Sequence, residues 1–138
     1  MKYALELQDE LFDLFRNDNT ICQLVGIVDS SDLKDCMNRI RRGIQPVATA
    51  NDSPSLFFAY YVVPSYGINT KNYMANTGII EFDIYFKHRG QMVKLFKAIN
   101  AVLKKNYEDM VLVAEGNNES PVTGLNSYMF RVEPLVNS

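Results

Sequence analysis

The sequence predicts a single α+β domain spanning residues 1–138, with helices on one side of a mostly antiparallel sheet of about four strands. Three observations predict this class. The chain opens with an amphipathic helical pattern, two strand-like runs flank a long polar loop, and a second amphipathic helix follows the second run directly. The last part of the chain then alternates turn and strand patterns.

The N-terminal segment predicts a helix from Tyr3 to about Asn17. Apolar side chains repeat there at helical spacing, at Ala4, Leu7, Leu11, Leu14 and Phe15. Acidic side chains occupy the other face, at Glu6, Asp9, Glu10 and Asp13. We expect the polar run 17–19 to end the helix, because short polar side chains compete with helical hydrogen bonds.

The next segment predicts short elements and a connector. Residues 21–28 are apolar, which is typical of a short strand or a packed loop. Ser30, Ser31 and Asp32 resemble an N-cap ahead of DLKDCMNRIRR (32–42), a short helix that Gly43 stops. The stretch IQPVATANDSPS (44–55) predicts an extended connector.

Two strands are predicted on either side of a long loop. SLFFAYYVVP (55–64) is apolar on both faces, so we expect a cover on both, one being the chain's own helix. The second cover is either a neighbouring subunit or another layer of the same chain. The polar run 65–78 predicts a loop. After it Ile80, Phe82, Ile84 and Phe86 alternate with polar residues, which predicts a half-buried strand antiparallel to the first.

A helix and two strands complete the prediction. The helix carries one apolar face, made of Met92, Leu95, Phe96, Ile99, Val102 and Leu103. MVLVAE (110–115) predicts a strand, GNNESPVTG (116–124) a loop and LNSYMFRVEPL (125–135) a last strand.

The composition limits the function classes. The net charge of −2 lacks the basic excess that marks bulk attraction to nucleic acid. The acidic amphipathic start is not typical of a signal or transit peptide, and no apolar run reaches the roughly 18 residues of a bilayer span. We therefore expect a soluble, intracellular protein with no membrane partner.

Known catalytic and metal-binding patterns do not appear. The turn at Lys87–Gln91 joins a strand to a helix, but it has a single glycine, and neither GxGxxG nor GxxxxGK[ST] occurs. His88 is the only histidine, so zinc ligation and a histidine-activated nucleophile lack partners. Asp29, Asp32 and Asp35 are explained as helix-start residues. The prediction is a protein without enzymatic activity, cofactor or metal.

Two further pairs have competing interpretations. Cys22 and Cys36 allow a disulfide, but free, mostly buried thiols are favoured, because nothing else indicates an oxidising compartment.

Glu81 and Asp83 share a strand face and are able to form a carboxylate pair. No apolar sequence context raises a pKa there, so the prediction is surface or interface charges.

Charge is divided between the two long helices. On the second long helix, lysines share one face, at Lys94, Lys97, Lys104 and Lys105. The charge of this face is opposite in sign to that of the acidic face on the N-terminal helix. One interpretation is two solvated faces. Another is a head-to-tail contact in which the acidic face of one copy meets the basic face of the next. A third is nucleic-acid binding, extended by Arg39, Arg41 and Arg42.

The order of elements resembles a known family. The chain has, in order, an amphipathic helix, the connector RRGIQPVATANDSPS, an aromatic strand, a long loop, an alternating strand and a helix. This order is similar to that of the tail terminator or tail completion proteins of long-tailed bacteriophages, which are also described as minor capsid or head-tail joining proteins. The resemblance spans nearly the whole chain and rests on pattern, without a diagnostic motif.

The resemblance implies a virion subunit of the tail or neck, assembled in the host cytoplasm. It implies a homo-oligomeric ring, a hexamer, that caps the tail tube and contacts the tube protein and the head-tail connector, with DNA passing through the lumen without sequence-specific binding. The loop from Tyr66 to Asn76 becomes the docking element, with Tyr66, Lys71, Tyr73 and Met74 at the contact. The alternatives are a small protein- or nucleic-acid-binding module and another neck or head completion protein.

Overall fold

The computed structural model describes residues 4–43, 54–63, 79–107 and 110–133. Four helices and five strands occur in these ranges, and they confirm the predicted α+β class. In chain order the elements are α1 (Ala4–Arg16), α2 (Asn19–Val25), α3 (Leu33–Arg39), β1 (Ile40–Arg42), β2 (Leu56–Val63), β3 (Ile79–Phe86), α4 (Arg89–Asn106), β4 (Val111–Asn118) and β5 (Asn126–Glu133). Within these ranges, no helix combines the length and apolar character that crossing a membrane demands.

The strands form one mixed sheet in the order β1-β2-β3-β5-β4. β1 runs parallel to β2, and every other pair is antiparallel. The predicted antiparallel pairing of β2 with β3 is therefore confirmed. In the register of the central strands, Asp83 lies opposite Ala59 on one side and Met129 on the other. The sheet has five strands instead of about four because a short parallel strand joins the edge of β2.

One side of the sheet, which we call the helix face, packs against the helices. Its strand residues are Ile40, Leu56, Phe58, Tyr60, Ile80, Phe82, Ile84, Phe86, Phe130 and Val132. The ring of Phe15 in α1 meets Phe58, Tyr60 and Phe82 edge-on at centroid distances of 5.3, 5.5 and 5.9 Å. From α4, Leu95 contributes a fully buried side chain to the same core. Burying each large apolar side chain stabilises the fold by about 1.5–3 kcal/mol, which holds this layer together.

The predicted strand or packed loop at residues 21–28 is wrong, because α2 forms there. Asp18 caps this helix, and its side chain accepts a hydrogen bond from the Ile21 N–H at 2.9 Å. Gly26 ends it in the left-handed conformation, with φ of 85°. The apolar run was too short to separate strand from helix by period, and the capping side chain decides the outcome.

The predicted helix over 32–42 is correct at its start and too long at its end. Asp32 is the N-cap and accepts a hydrogen bond from the Asp35 N–H at 2.8 Å. The helix ends at Arg39, and the next three residues form β1 beside β2. Ile40 becomes fully buried in this way, and its burial in the core favours the extended conformation.

Two strand predictions need correction or extension. β3 is not half-buried, because its residues from Ile80 to Phe86 are all buried, including the polar ones. β4 continues through Asn118, into the segment predicted as a loop, because it pairs with β5 as far as Ser127. The connector 44–53 and the loop 65–78 lie outside the described residues.

Candidate functional site

The second side of the sheet, which we call the far face, combines apolar and charged residues. Adjacent strands contribute to it Arg41, Phe57, Ala59, Tyr61, Glu81, Asp83, Tyr85, Ser127, Met129 and Arg131. A small apolar cluster covers one end, where Val122 and Leu125 from the β4–β5 connection join Phe57, Ala59 and Tyr85. At this end, the same chain supplies the second cover that the sequence predicted for β2.

A cavity of about 470 Å³ opens on the far face, and we call it the acidic pocket. Its lining residues are Gly43, Ala59, Tyr61, Glu81, Asp83, Tyr85, Asn118, Glu119, Ser120 and Pro121. Ala59 lies opposite Asp83 in the sheet register. Ala59 is itself buried, and its small side chain leaves room beside Asp83, which also lines the cavity.

Glu81 is held by two donors on neighbouring strands. The Tyr61 hydroxyl donates to its Oε2, and Arg131 Nε donates to its Oε1 at 2.7 Å. The Glu81 side chain is only 5% exposed, so the prediction of a surface charge is wrong for this residue. Charge-assisted hydrogen bonds of this kind stabilise the ionised form of a buried carboxylate.

Asp83 differs from Glu81 although it lies two residues away on the same strand. Burial, the charge of Glu81 and a hydrogen bond to Glu81 together raise the pKa of Asp83 to about 7. Its Oδ1 is buried and has no hydrogen-bond partner within the described ranges. The prediction that nothing raises a pKa at this pair is therefore wrong. Asp83 is therefore largely protonated below about pH 7, because its burial and the nearby Glu81 charge disfavour the ionised form.

A cation and two rings form the wall beside the pocket. The Arg41 guanidinium lies over the Phe57 ring at 4.0 Å, and Phe57 stacks on Tyr85 at a centroid distance of 4.8 Å. Arg41 also donates to the backbone and side-chain oxygens of Asn38, at 2.7 and 2.9 Å. These contacts fix the position of the Tyr85 ring that lines the pocket.

Apolar side chains are exposed at one edge of the sheet, and we call this the β4 patch. Val111, Leu112 and Val113 are consecutive residues of the edge strand, with exposures of 55, 42 and 44%. Leu112 also lines a groove together with Lys97 and Lys104 of α4. An edge strand with exposed apolar residues is a template for contact with another chain.

A second apolar patch, the α3 patch, lies near the opposite edge. Leu33 and Met37, one turn apart on α3, are 52 and 41% exposed, and Val28 before the helix is 60% exposed. α3 packs beside β1 and β2, at the end of the sheet away from β4. Asp29 and Asp32 are exposed within this region, next to the apolar side chains.

The predicted acidic face of α1 is partly used inside the chain. Glu6, Asp9 and Asp13 are exposed and Glu10 is half-buried. The Asp9 carboxylate pairs with the Arg42 guanidinium, a contact between residues far apart in sequence. Burial and the nearby Glu10 carboxylate raise the pKa of Tyr107, which follows α4.

The lysines of the predicted basic face are exposed, whereas the arginines make contacts within the chain. Lys94 and Lys97 are exposed on α4, as are the other lysines of that face. Arg39 pairs with Asp35 and donates to the Val25 carbonyl, Arg41 is buried, and Arg42 pairs with Asp9. The arginines therefore stabilise the fold and do not extend the lysine face, contrary to the third interpretation of the charge pattern.

Other predicted positions lie elsewhere. Tyr66, Lys71, Tyr73 and Met74 lie outside the described residues. Cys22 and Cys36 are free, as the favoured interpretation had it; Cys36 is buried and Cys22 is half-buried. Burial raises the pKa of the Cys22 thiol, and its Sγ donates to the Arg16 carbonyl at 3.0 Å.

Sequence reasoning missed both apolar patches and the burial of Glu81 and Asp83. The run Val111–Val113 predicted a strand, but its position at the edge depends on the order of strands in the sheet. The spacing of Leu33 and Met37 signals one helix face without saying whether that face is covered. For Glu81 and Asp83, the apolar far-face residues of β2 were an available signal, because β2 is their antiparallel neighbour.

Comparison of the chain with protein-family models, with curated proteins and with solved structures finds no match.

Proposed function

We propose that this protein is a structural subunit that assembles head-to-tail into a closed ring. The observation that carries the proposal is the pair of exposed apolar patches at opposite ends of the sheet. Different surfaces on opposite sides of one subunit favour a heterologous contact, which closes into a ring when the rotation between copies permits.

The two patches are complementary in charge as well as in apolar character. The β4 patch is flanked by Lys97 and Lys104, whereas Asp29 and Asp32 flank the α3 patch. Lys34 also lies on α3, so the acidic excess there is modest. Apolar burial supplies most of the affinity in such a contact, and the charges select its register and exclude wrong pairings.

This pairing refines the contact expected from sequence. The sequence indicated that the acidic face of α1 meets the lysines of α4, yet Asp9 already pairs with Arg42 in the same chain. The α3 patch combines carboxylates with exposed apolar side chains. The acidic face of α1 combines the two to a lesser extent. We therefore place the acidic side of the contact at Asp29 and Asp32.

The biological setting we propose is the head-proximal end of a bacteriophage tail, with the ring capping the tail tube and joining it to the head connector. Its support is the resemblance in element order to tail terminator and completion proteins. A ring subunit works through its surfaces, and the two patches are surfaces of that kind. In this proposal the tube protein and the connector are the partners, and the subunit catalyses no reaction.

The ring is tested by measuring mass in solution with light scattering and by imaging the particles in negative stain. We expect a concentration-dependent oligomer with ring-shaped particles. Leu112→Glu and Met37→Glu each place a charge in one patch, and each variant should remain monomeric with an unchanged circular dichroism spectrum. Lys87→Glu, an exposed charge reversal that lines neither patch, is the matched control and should assemble normally.

A charge-swap experiment tests which patches meet. Lys97→Glu and Asp29→Lys should each weaken assembly at low salt, and the double variant should recover a large part of it. A wild-type protein that stays monomeric at high concentration, and also in the presence of phage tail tubes, contradicts the proposal. A ring that forms but does not bind tube ends contradicts only the phage setting.

A further inference from the structure

We propose that the acidic pocket is a binding site for a primary ammonium group, presented by a lysine side chain of a protein partner. The pocket lies on the far face, away from the β4 and α3 patches, so this proposal does not depend on ring formation. Three features carry it: a carboxyl oxygen without a partner, two tyrosines in the lining, and a set of contacts that leaves Asp83 as the available acceptor.

The pocket presents an acceptor without a donor. Asp83 is 9% exposed and lines the cavity, yet in the part of the chain that the structure describes its Oδ1 has no hydrogen-bond partner. A buried acceptor without a donor costs about 1–3 kcal/mol, so a ligand that supplies a donor gains affinity there. Glu119 at the rim adds a second negative group, so the electrostatic potential favours a cation.

The contacts favour an ammonium over a guanidinium. A guanidinium binds best when both oxygens of one carboxylate are available for two parallel hydrogen bonds. Glu81 already accepts from Tyr61 and Arg131 through its two oxygens, and Asp83 is hydrogen-bonded to Glu81. A single free oxygen suits a compact cation with three rotatable donors, and the rings of Tyr61 and Tyr85 can contact its alkyl chain and charge.

Metal binding and catalysis fit the lining less well. Among the described residues, no group of three or more histidine, cysteine or carboxylate side chains is arranged to hold a metal ion. The hydroxyl of Ser120 is held in a turn, where it donates to the Val122 carbonyl at 3.0 Å and accepts from the Val122 N–H at 3.1 Å. It is therefore not poised as a nucleophile beside the carboxyl pair.

Binding should be coupled to loss of a proton. Of the residues that the structure describes, the charged groups that act on Asp83 are Glu81 on its own strand and Arg131 on β5. Arg41 on β1 acts on the neighbouring Tyr85, and Glu119, Tyr61 and Tyr85 line the same pocket. In the free protein below about pH 7, Asp83 carries a proton, and an entering ammonium displaces that proton to solvent. Because Asp83 ionises on binding, affinity falls as pH drops below the free-state pKa of about 7. The fall approaches about tenfold per pH unit.

The test uses Nα-acetyl-lysine methylamide as the probe, with side-chain carboxyl signals of the protein followed by carbon NMR. The Nε-acetylated probe and Nα-acetyl-arginine methylamide are run in parallel. Asp83→Asn imitates the protonated carboxyl in shape, so it should fold, and it should abolish saturable binding. Glu115→Gln, on β4 but outside the pocket lining, is the matched control and should bind like the wild type.

We expect saturable shifts at Glu81 and Asp83 with the lysine probe, at least about tenfold weaker at pH 6 than at pH 8. The same chemical-shift changes are then sought on concentrating the protein without a probe. If they appear, the bound lysine belongs to a second copy of this chain; if they do not, it belongs to another protein. Equal binding of the acetylated probe, tighter binding of the arginine probe, displacement by magnesium, or no saturation at pH 8 overturns the proposal. Should Asp83→Asn fail to fold, the acetylated probe and the pH series still decide the outcome on the wild-type protein.

Discussion

The two faces of the sheet differ in how they exclude water. On the helix face, aromatic and aliphatic side chains pack against the helices; for example, Phe82 stacks on Phe130 at 4.8 Å. On the far face, a small apolar cluster adjoins a network of charged side chains around Glu81 and Asp83. An apolar layer stabilises the fold without directional demands, whereas buried charges are tolerated only with specific partners.

This difference separates stability from recognition. Replacing a buried ionic network with apolar residues of similar volume is often neutral or stabilising, so such a network is weak support for a stability role. An incompletely satisfied carboxyl in a cavity is more typical of a binding surface. We therefore assign the stability of the protein mainly to the helix face and ligand recognition to the far face.

The largest expected effect comes from removing one fully buried phenylalanine on each face. Phe82→Ala should lower the free energy of unfolding by about 3–5 kcal/mol, because the surrounding rings leave a cavity that cannot collapse. Phe57→Ala, equally buried but in the smaller cluster, should cost about 2–3 kcal/mol, since fewer apolar neighbours lose contacts when its ring is removed. Denaturant unfolding measures both, and equal losses would contradict the contrast between the faces.

The pH dependence of stability should show the next largest effect. The folded pKa of Asp83 lies above its unfolded value, so the folded state binds more protons between about pH 4 and 7. Stability therefore falls as pH rises through that window, by up to about 4 kcal/mol from this group, and then levels off. Asp83→Asn should remove this loss and be the more stable protein at pH 8. A parallel pH profile for both proteins argues against a buried, protonated Asp83.

A matched pair of tyrosines tests the network with a smaller effect. Tyr60 on the helix face donates to the Gln8 carbonyl at 2.7 Å, and Tyr61 on the far face donates to Glu81. Each change to phenylalanine should cost about 1 kcal/mol. Only Tyr61→Phe should shift the titration of Asp83, because the Tyr61 hydroxyl positions the Glu81 carboxylate whose charge raises the pKa of Asp83. Carbon NMR of the carboxyl groups makes the distinction.

The smallest effect on folding is expected at the exposed lysines of α4. Lys94→Glu with Lys97→Glu should change the free energy of unfolding by less than about 0.5 kcal/mol, because exposed charges contribute little. The same double variant should weaken self-association at low salt. Unfolding and light-scattering measurements on one sample separate these outcomes, and normal assembly at low salt contradicts a role for the lysines in the contact.

Much of the fold followed from local pattern. The helical periods of α1 and α4, the aromatic run of β2 and the alternation of β3 predicted these elements, because amphipathic spacing reports which side of an element is buried. The capping role of Asp32 was also readable, since its side chain acts on backbone groups only three residues away. Short elements such as α2 and β1 were not predictable, because a run of a few residues carries no reliable period.

The candidate sites followed much less from the sequence. The absence of known catalytic motifs and the division of charge between helices were local facts, and they motivated a function based on surfaces. That Leu112 lies on an exposed edge and Asp83 in a cavity depends on strands paired across long sequence separations. No local pattern specifies those pairings.

By itself, the sequence determined the amphipathic helices, the central strands and the sign of charge on each helix, because these depend on neighbours along the chain. Only the tertiary structure decided that β3 is buried on both faces, that Asp9 pairs with Arg42, and that burial beside Glu81 raises the pKa of Asp83. The physical reason is that desolvation and charge pairing depend on distance in space, and the sheet brings together residues that the chain keeps far apart.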